Sequence, residues 1–159
     1  MNTKVVVDAS VWVSRLMPQE VNHNVSSLWT DRFTTLGGML VAPVFLLIEV
    51  AASVSRQSRQ PELSKQSVTD LQTDEAMDLV PLDFALVQTA IELASTLQLR
   101  AGDAIYVALA HQMNIPLVSW DKEQLQRASR LIATYTPENY VFPDDSEKSN
   151  NEHGEDVAP

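Results

Sequence analysis

A chain of 159 residues, 45% of them hydrophobic, is long enough for a buried core and ordinary in composition for a globular fold. It has no cysteine, which removes disulfides and thiolate metal sites. No apolar run approaches a membrane span or follows a signal peptide's plan, so the expected address is cytoplasmic with no membrane partner. The net charge of −10 is uneven: residues 143–159 carry six acids and one base, leaving 15 acids against 10 bases in residues 1–142. That mildly acidic body neither requires nor excludes a nucleic-acid partner.

Lys4-Val5-Val6-Val7 is a β-branched run ending at Asp8, the pattern of a strand buried on both faces. Asp8-Ala9-Ser10 then opens a short helix over 11–16, closed by Pro18. Asn22 and Asn24 are candidate caps of a second helix ending before Gly37-Gly38, and residues 39–41 predict a second strand. Pro43 suits a first helical turn, and residues 44–54 predict a helix apolar on nearly every side. Glu49 is the single charge inside it. A lone buried carboxylate is costly and is usually paired or metal-bound; the alternative is that it faces solvent or an arginine.

Residues 55–62 read as a polar connection, 63–76 as an exposed amphipathic helix and 78–82 as a strand. Asp83 caps a helix through Leu97, with Phe84, Val87, Ile91, Leu93 and Ala94 expected on its buried side. Arg100-Ala101-Gly102 reads as loop, followed by a helix headed by Asp103. Ile105, Leu109 and Met113 mark one buried stripe there, Val107 and Ala110 another, and Asn114 and Pro116 end it. Residues 117–120 predict a strand with Asp121 just past its end, 122–130 a last helix and 131–134 a last strand. Residues 139–142 close the body, and the polar, charged composition of 143–159 predicts disorder. The expected plan is one domain over 1–142 and an acidic tail over 143–159.

Alternating strands and helices imply an α/β fold: a three-layer α/β/α arrangement around a parallel sheet of four to five short strands. Ligands of such sheets gather beyond the carboxyl ends of the strands. Asp8 and Asp121 belong at that rim, and Glu49 and Asp103 lie in helices flanking the same strands. Each aspartate alone also reads as a helix cap. Together, four carboxylates from distant positions can meet in one pocket.

At VVVDASVWV around Asp8, LLIEVAASV around Glu49, RAGDAIYVALA around Asp103 and LVSWD around Asp121 the sequence resembles the PIN-domain ribonucleases, in particular the VapC-type toxins. The resemblance runs over about residues 3–135 and leaves the acidic tail outside. It implies that Asp8, Glu49, Asp103 and Asp121 bind Mg2+ or Mn2+ and hydrolyse RNA phosphodiester bonds. Ser119 matches the family's Ser/Thr two residues before the last acid, and Ser10 falls where a small polar residue follows the first. The resemblance further implies a toxin–antitoxin pair, with a small cognate antitoxin and a homodimer as partners.

The residue types suit this chemistry on their own terms. Hard divalent cations prefer oxygen ligands, and four clustered acids repel one another unless a cation balances them. One metal acidifies a bound water, and a second can stabilise the leaving oxygen. Asp8 and Asp103 are the expected central ligands, with Asp121 and Glu49 assisting or acting through water. Ser119 has two equal readings, a contact to ligand or phosphate and a hydrogen bond to the following helix start. Arg15, Arg56, Arg59 and Arg100 are candidate phosphate contacts, although surface arginine is the commoner role. Trp12 and Trp120 adjoin the site acids, where packing is favoured over base stacking. His23, His111 and His153 show no ligand spacing.

Competing readings are a catalytically silent PIN-like module binding RNA or protein, an aspartyl phosphatase and a nucleotide-binding domain. The four acids argue against the first. Ser10 stands where the phosphatase needs an acid, and no GxGxxG or GxxxxGK[ST] occurs for the last.

Overall fold

The computed structural model describes residues 3–142, so the expectations for the acidic tail and for His153 lie outside the described residues. Five strands form one sheet: β1 (Lys4–Val7), β2 (Met39–Pro43), β3 (Met77–Val80), β4 (Leu117–Val118) and β5 (Thr134–Tyr135). The helices between and around them are α1 (Ala9–Leu16), α2 (His23–Thr35), α3 (Phe45–Ser58), α4 (Pro61–Thr73), α5 (Phe84–Thr96), α6 (Ala101–Met113) and α7 (Lys122–Ala128). All neighbouring strands pair in parallel, in the order β3-β2-β1-β4-β5. Val5, Val6 and Val7 are all fully buried. Successive side chains of a strand point to opposite faces, so helices cover both faces of the sheet, as the predicted three-layer plan requires.

The chain leaves β1 for β2 and β3 on one side, then returns to place β4 against the other edge of β1. In register, Val6 lies opposite Val41 of β2 and Leu117 of β4, and Val7 opposite Val118. The direction of winding therefore reverses between β1 and β4, and the crevice beyond their carboxyl ends is where an open α/β sheet binds ligands. Asp8 and Ser119 are the first residues past those two ends.

Helix α3 buries Leu46, Val50 and Val54, a stripe at spacings of four, and ends at Arg59 in the left-handed region with φ 56°. Helix α6 buries six residues, including Tyr106 through Ala110 in an unbroken run, while His111 and Gln112 at its end are exposed. It stops at Asn114, φ 51°, a residue type that tolerates the left-handed cap.

Four expectations need correction. Residues 55–62 are not a polar connection throughout, because α3 runs on to Ser58 and α4 already starts at Pro61. Helix α6 begins at Ala101, so Ala101 and Gly102 are helical and Asp103 sits in the first turn, where the helix dipole favours a carboxylate. Strand β5 spans only Thr134–Tyr135, because Leu131 and Ile132 both donate back to the Ala128 carbonyl and are drawn out of the ladder. Helix α5 buries Leu86, Ala90 and Leu93, whereas Phe84 and Ile91 are 77% and 55% exposed. Both sets follow helical spacing, and Asp83 caps the helix through Leu86 N–H in either case, so its sequence alone does not select the buried face.

The last described residues are pinned on α2. Tyr140 packs edge-to-face on Trp29, Phe33, Tyr135 and Phe142, and the Arg32 guanidinium lies 4.0 Å above the Phe142 ring. Gly38 permits this cluster, since a Cβ there would fall 2.3 Å from the Phe33 ring.

Candidate active site

Asp8 follows β1 and caps α1, its Oδ2 accepting from Ser10 N–H at 2.9 Å. Its own N–H donates to the Val118 carbonyl, which ties the β1 rim to β4. Asp121 caps α7, with Oδ1 accepting from Gln124 N–H at 3.0 Å, and its N–H donates to Ser119 Oγ. Capping and a place at the rim are thus compatible. Each aspartate commits one oxygen to its helix and keeps the other: Asp8 Oδ1 meets the Gln124 amide at 3.2 Å, and Asp121 Oδ2 lies 3.6 Å from Arg100.

Asp103 enters from the first turn of α6, and Glu49 from the middle of α3. A Cβ at Gly102 would stand 3.4 Å from Glu49 Oε1, so the two helices bring these acids side by side. Tyr106, one turn along α6, donates its hydroxyl to Glu49 Oε2 at 2.5 Å. Glu49 therefore takes neither alternative foreseen for it, open solvent or an arginine partner.

Burial pushes the Glu49 carboxyl up to about 7; the Tyr106 hydrogen bond opposes this, and the charges of Asp8 and Asp103 add to it. Burial likewise raises Asp103 to about 6, reinforced by Asp8 and Asp121 and opposed by Arg100. Burial and the Glu49 charge raise the Tyr106 phenol, so it stays a hydrogen-bond donor at neutral pH. All four predicted carboxylates thus share one electrostatic neighbourhood.

Its donor chemistry is all oxygen, which suits a hard cation. Among the described residues, however, no group of three or more His, Cys, Asp or Glu stands arranged to hold a metal ion. This departs from four acids converging on one point.

Ser119 is fully buried and contacts Ser10 across the rim, Oγ to Oγ at 3.3 Å, while Ser10 Oγ accepts from Trp120 N–H. Ser119 Oγ also accepts from Asp121 N–H, the hydrogen bond expected at the start of α7. Arg100 is exposed at the rim, reaching Asp121 and Glu123. Arg15 is held on α2 by Asp31, Thr30 and the Ser27 carbonyl, and Arg56 lies exposed in the last turn of α3 near Ser53. Trp12 is in the core, and Trp120 donates its indole N–H to Ser26, so both pack as favoured. His23 contacts the Ser14 carbonyl, and His111 is exposed.

Two neighbours of the acids escaped the reading of the sequence: Tyr106 and Gln124. Each lies three residues after a predicted site acid, Asp103 and Asp121, hence on the same helical face. A polar side chain at that offset is the signal that finds them.

The PIN domain family model matches residues 5–131. Among solved structures, the chain is similar to VapC20 of Mycobacterium tuberculosis, described as a Sarcin-Ricin loop cleaving toxin, with TM-score 0.64 and 14% identity over 76% of this chain and 92% of that one. It is similar to FitAcB from Neisseria gonorrhoeae, with TM-score 0.65 and 16% identity over 86% of this chain and 99% of that one. VapBC2 from Rickettsia felis, bound to a DNA fragment from their promoter, gives TM-score 0.59 and 12% identity over 84% and 98%. At such identities the likeness concerns the fold. No curated protein matches the sequence significantly. With the family match spanning most of its length, the chain belongs to the PIN domain family.

Proposed function

We propose that this chain is a metal-dependent endoribonuclease using Mg2+ or Mn2+, and the toxin component of a toxin–antitoxin pair acting in the cytoplasm. The observation that carries the reading is the shared site: Asp8 and Asp121 past adjacent strands at the reversal of the sheet, with Glu49 and Asp103 beside them, raised by burial first and by the neighbouring acids' charges second. A divalent cation bound there supplies an acidified water and neutralises phosphate charge. In this reading Asp8 and Asp103 would hold the ion, with Asp121 and Glu49 assisting them or acting through water. Tyr106 fixes the Glu49 carboxylate, and Ser10 and Ser119 hold the two rim loops together. Arg100, beside Asp121, is the arginine best placed to meet a substrate phosphate.

RNA as substrate is supported by the described activity of the similar VapC20, and an antitoxin partner by the likeness to a toxin–antitoxin complex from Klebsiella pneumoniae. We assign a homodimer to the apolar groove between α5 and α6, lined by Val87, Ala90, Ile91, Ala94, Ala104 and Ile105. No helix among the described residues is long and apolar enough to cross a membrane.

The test is cleavage of total RNA by purified protein in Mn2+, in Mg2+ and in EDTA, with fragment ends mapped. Cleavage should need the cation, and Asp8→Asn and Asp103→Asn should each reduce it below detection with unchanged circular dichroism. Asparagine keeps the shape and can still cap a helix, so the loss isolates the charge. Wild-type turnover in both variants overturns the site.

A further inference from the structure

Gln124 lies in the first turn of α7 and is 1% exposed. Glutamine is seldom so buried, and a buried amide is costly unless both of its ends are hydrogen-bonded. Nε2 donates to Asp8 Oδ1 at 3.2 Å and reaches the Asp103 carbonyl at 3.5 Å, while the backbone N–H meets Asp121 Oδ1 at 3.0 Å. One residue thus touches all three aspartates of the site. Both partners of Nε2 are acceptors, which determines which end of the amide carries the hydrogens. The other end, Oε1, is buried without a hydrogen-bond partner.

Packing does not account for this amide. A methionine or leucine would fill similar space without leaving an oxygen unpaired, and the Asp121 cap needs only the backbone N–H of residue 124. A neutral donor also orients Asp8 without placing a positive charge where a cation would have to bind, as an arginine or lysine would.

We propose that Gln124 is a positioning residue of the cation site, holding Asp8 Oδ1 toward the first turn of α6. This rests on the metal-dependent reading given above. Groups that orient a ligand carboxylate tune affinity nearly as strongly as the ligands themselves, typically by about 10–100-fold.

The experiment compares wild type with Gln124→Met by calorimetric titration with Mn2+ and by thermal melts in EDTA. The Mn2+ Kd should rise about 10–100-fold in the variant, while its metal-free melting temperature does not fall. In wild type, the Gln124 side-chain amide resonance should exchange slowly with solvent and shift on saturation with Mg2+. A folded Gln124→Met protein whose Kd stays within about twofold of wild type, well inside the range expected for an orienting partner, overturns the proposal. So does a Gln124 resonance that Mg2+ leaves in place, a readout on wild type that decides the matter even if the variant fails to fold. A folded wild type binding neither cation overturns the metal-dependent reading itself, an outcome distinct from binding that ignores Gln124.

Discussion

Glu49 and Asp103 carry the chemistry of the site into its stability. With the Glu49 carboxyl at about 7 against an ordinary 4.5, and Asp103 at about 6 against 3.8, the folded metal-free protein holds protons that the unfolded chain has released. The stabilisation from Glu49 is complete below 4.5 and lost as pH rises through about 7; that from Asp103 is complete below 3.8 and lost through about 6. Metal-free protein should therefore melt higher near pH 5 than near pH 8. Glu49→Gln should flatten this dependence by raising the melting temperature at pH 8 and leaving pH 5 nearly unchanged, since glutamine can still accept from Tyr106. Melts in EDTA across that interval check it, and an unaltered slope in the variant would place the effect elsewhere.

At the level of elements, α5 presents two apolar faces and buries only one of them in the monomer. Phe84 and Ile91 both stay exposed, and Ile91 lies beside the small residues Ala94, Ala101 and Ala104, which let another helix approach closely. If this groove joins two copies, Ile91→Asp should convert the wild-type dimer to monomer in sedimentation, costing about 2 kcal/mol or more of association free energy as a charge in an interface core does. The monomer should keep its fold, because Ile91 is already 55% exposed. A wild type that sediments as a monomer at micromolar concentration removes the dimer assignment.

For the whole molecule, the last described residues are held by the aromatic cluster on α2. Phe142 is buried and Tyr140 touches four other rings, so the chain is anchored up to Phe142. Truncation after Phe142 should leave the melting temperature unchanged, whereas truncation after Asn139 should cost about 3 kcal/mol or more, as loss of a large buried aromatic does. The first truncation also removes six acids and one base. RNA association should then quicken at low salt and return to the full-length rate at high salt, where screening acts over about 8 Å or less. Equal rates at low salt would show that the tail's charge does not reach the substrate path.

Much of this molecule was legible in short stretches of its sequence. A β-branched run ending in Asp8, an apolar helix holding one glutamate, and an aspartate beside each of α6 and α7 are patterns a few residues long, governed by helical period, strand period and capping. Such local physics yields the alternation of elements, hence the parallel sheet, and puts Asp8 and Asp121 at its rim. What it does not specify is any choice between equivalent faces or any pairing across the chain. The two stripes of α5 are equally periodic, and only packing against α6 exposed Phe84 and Ile91. Arg15 sits near Asp8 in sequence, yet its guanidinium is committed to α2. Tyr106 meets Glu49 57 residues away, and Gln124 meets Asp8 116 residues away. These contacts exist because β4 returned to the edge of β1, and that adjacency is settled by burying both faces of the sheet at once, a property of the whole fold.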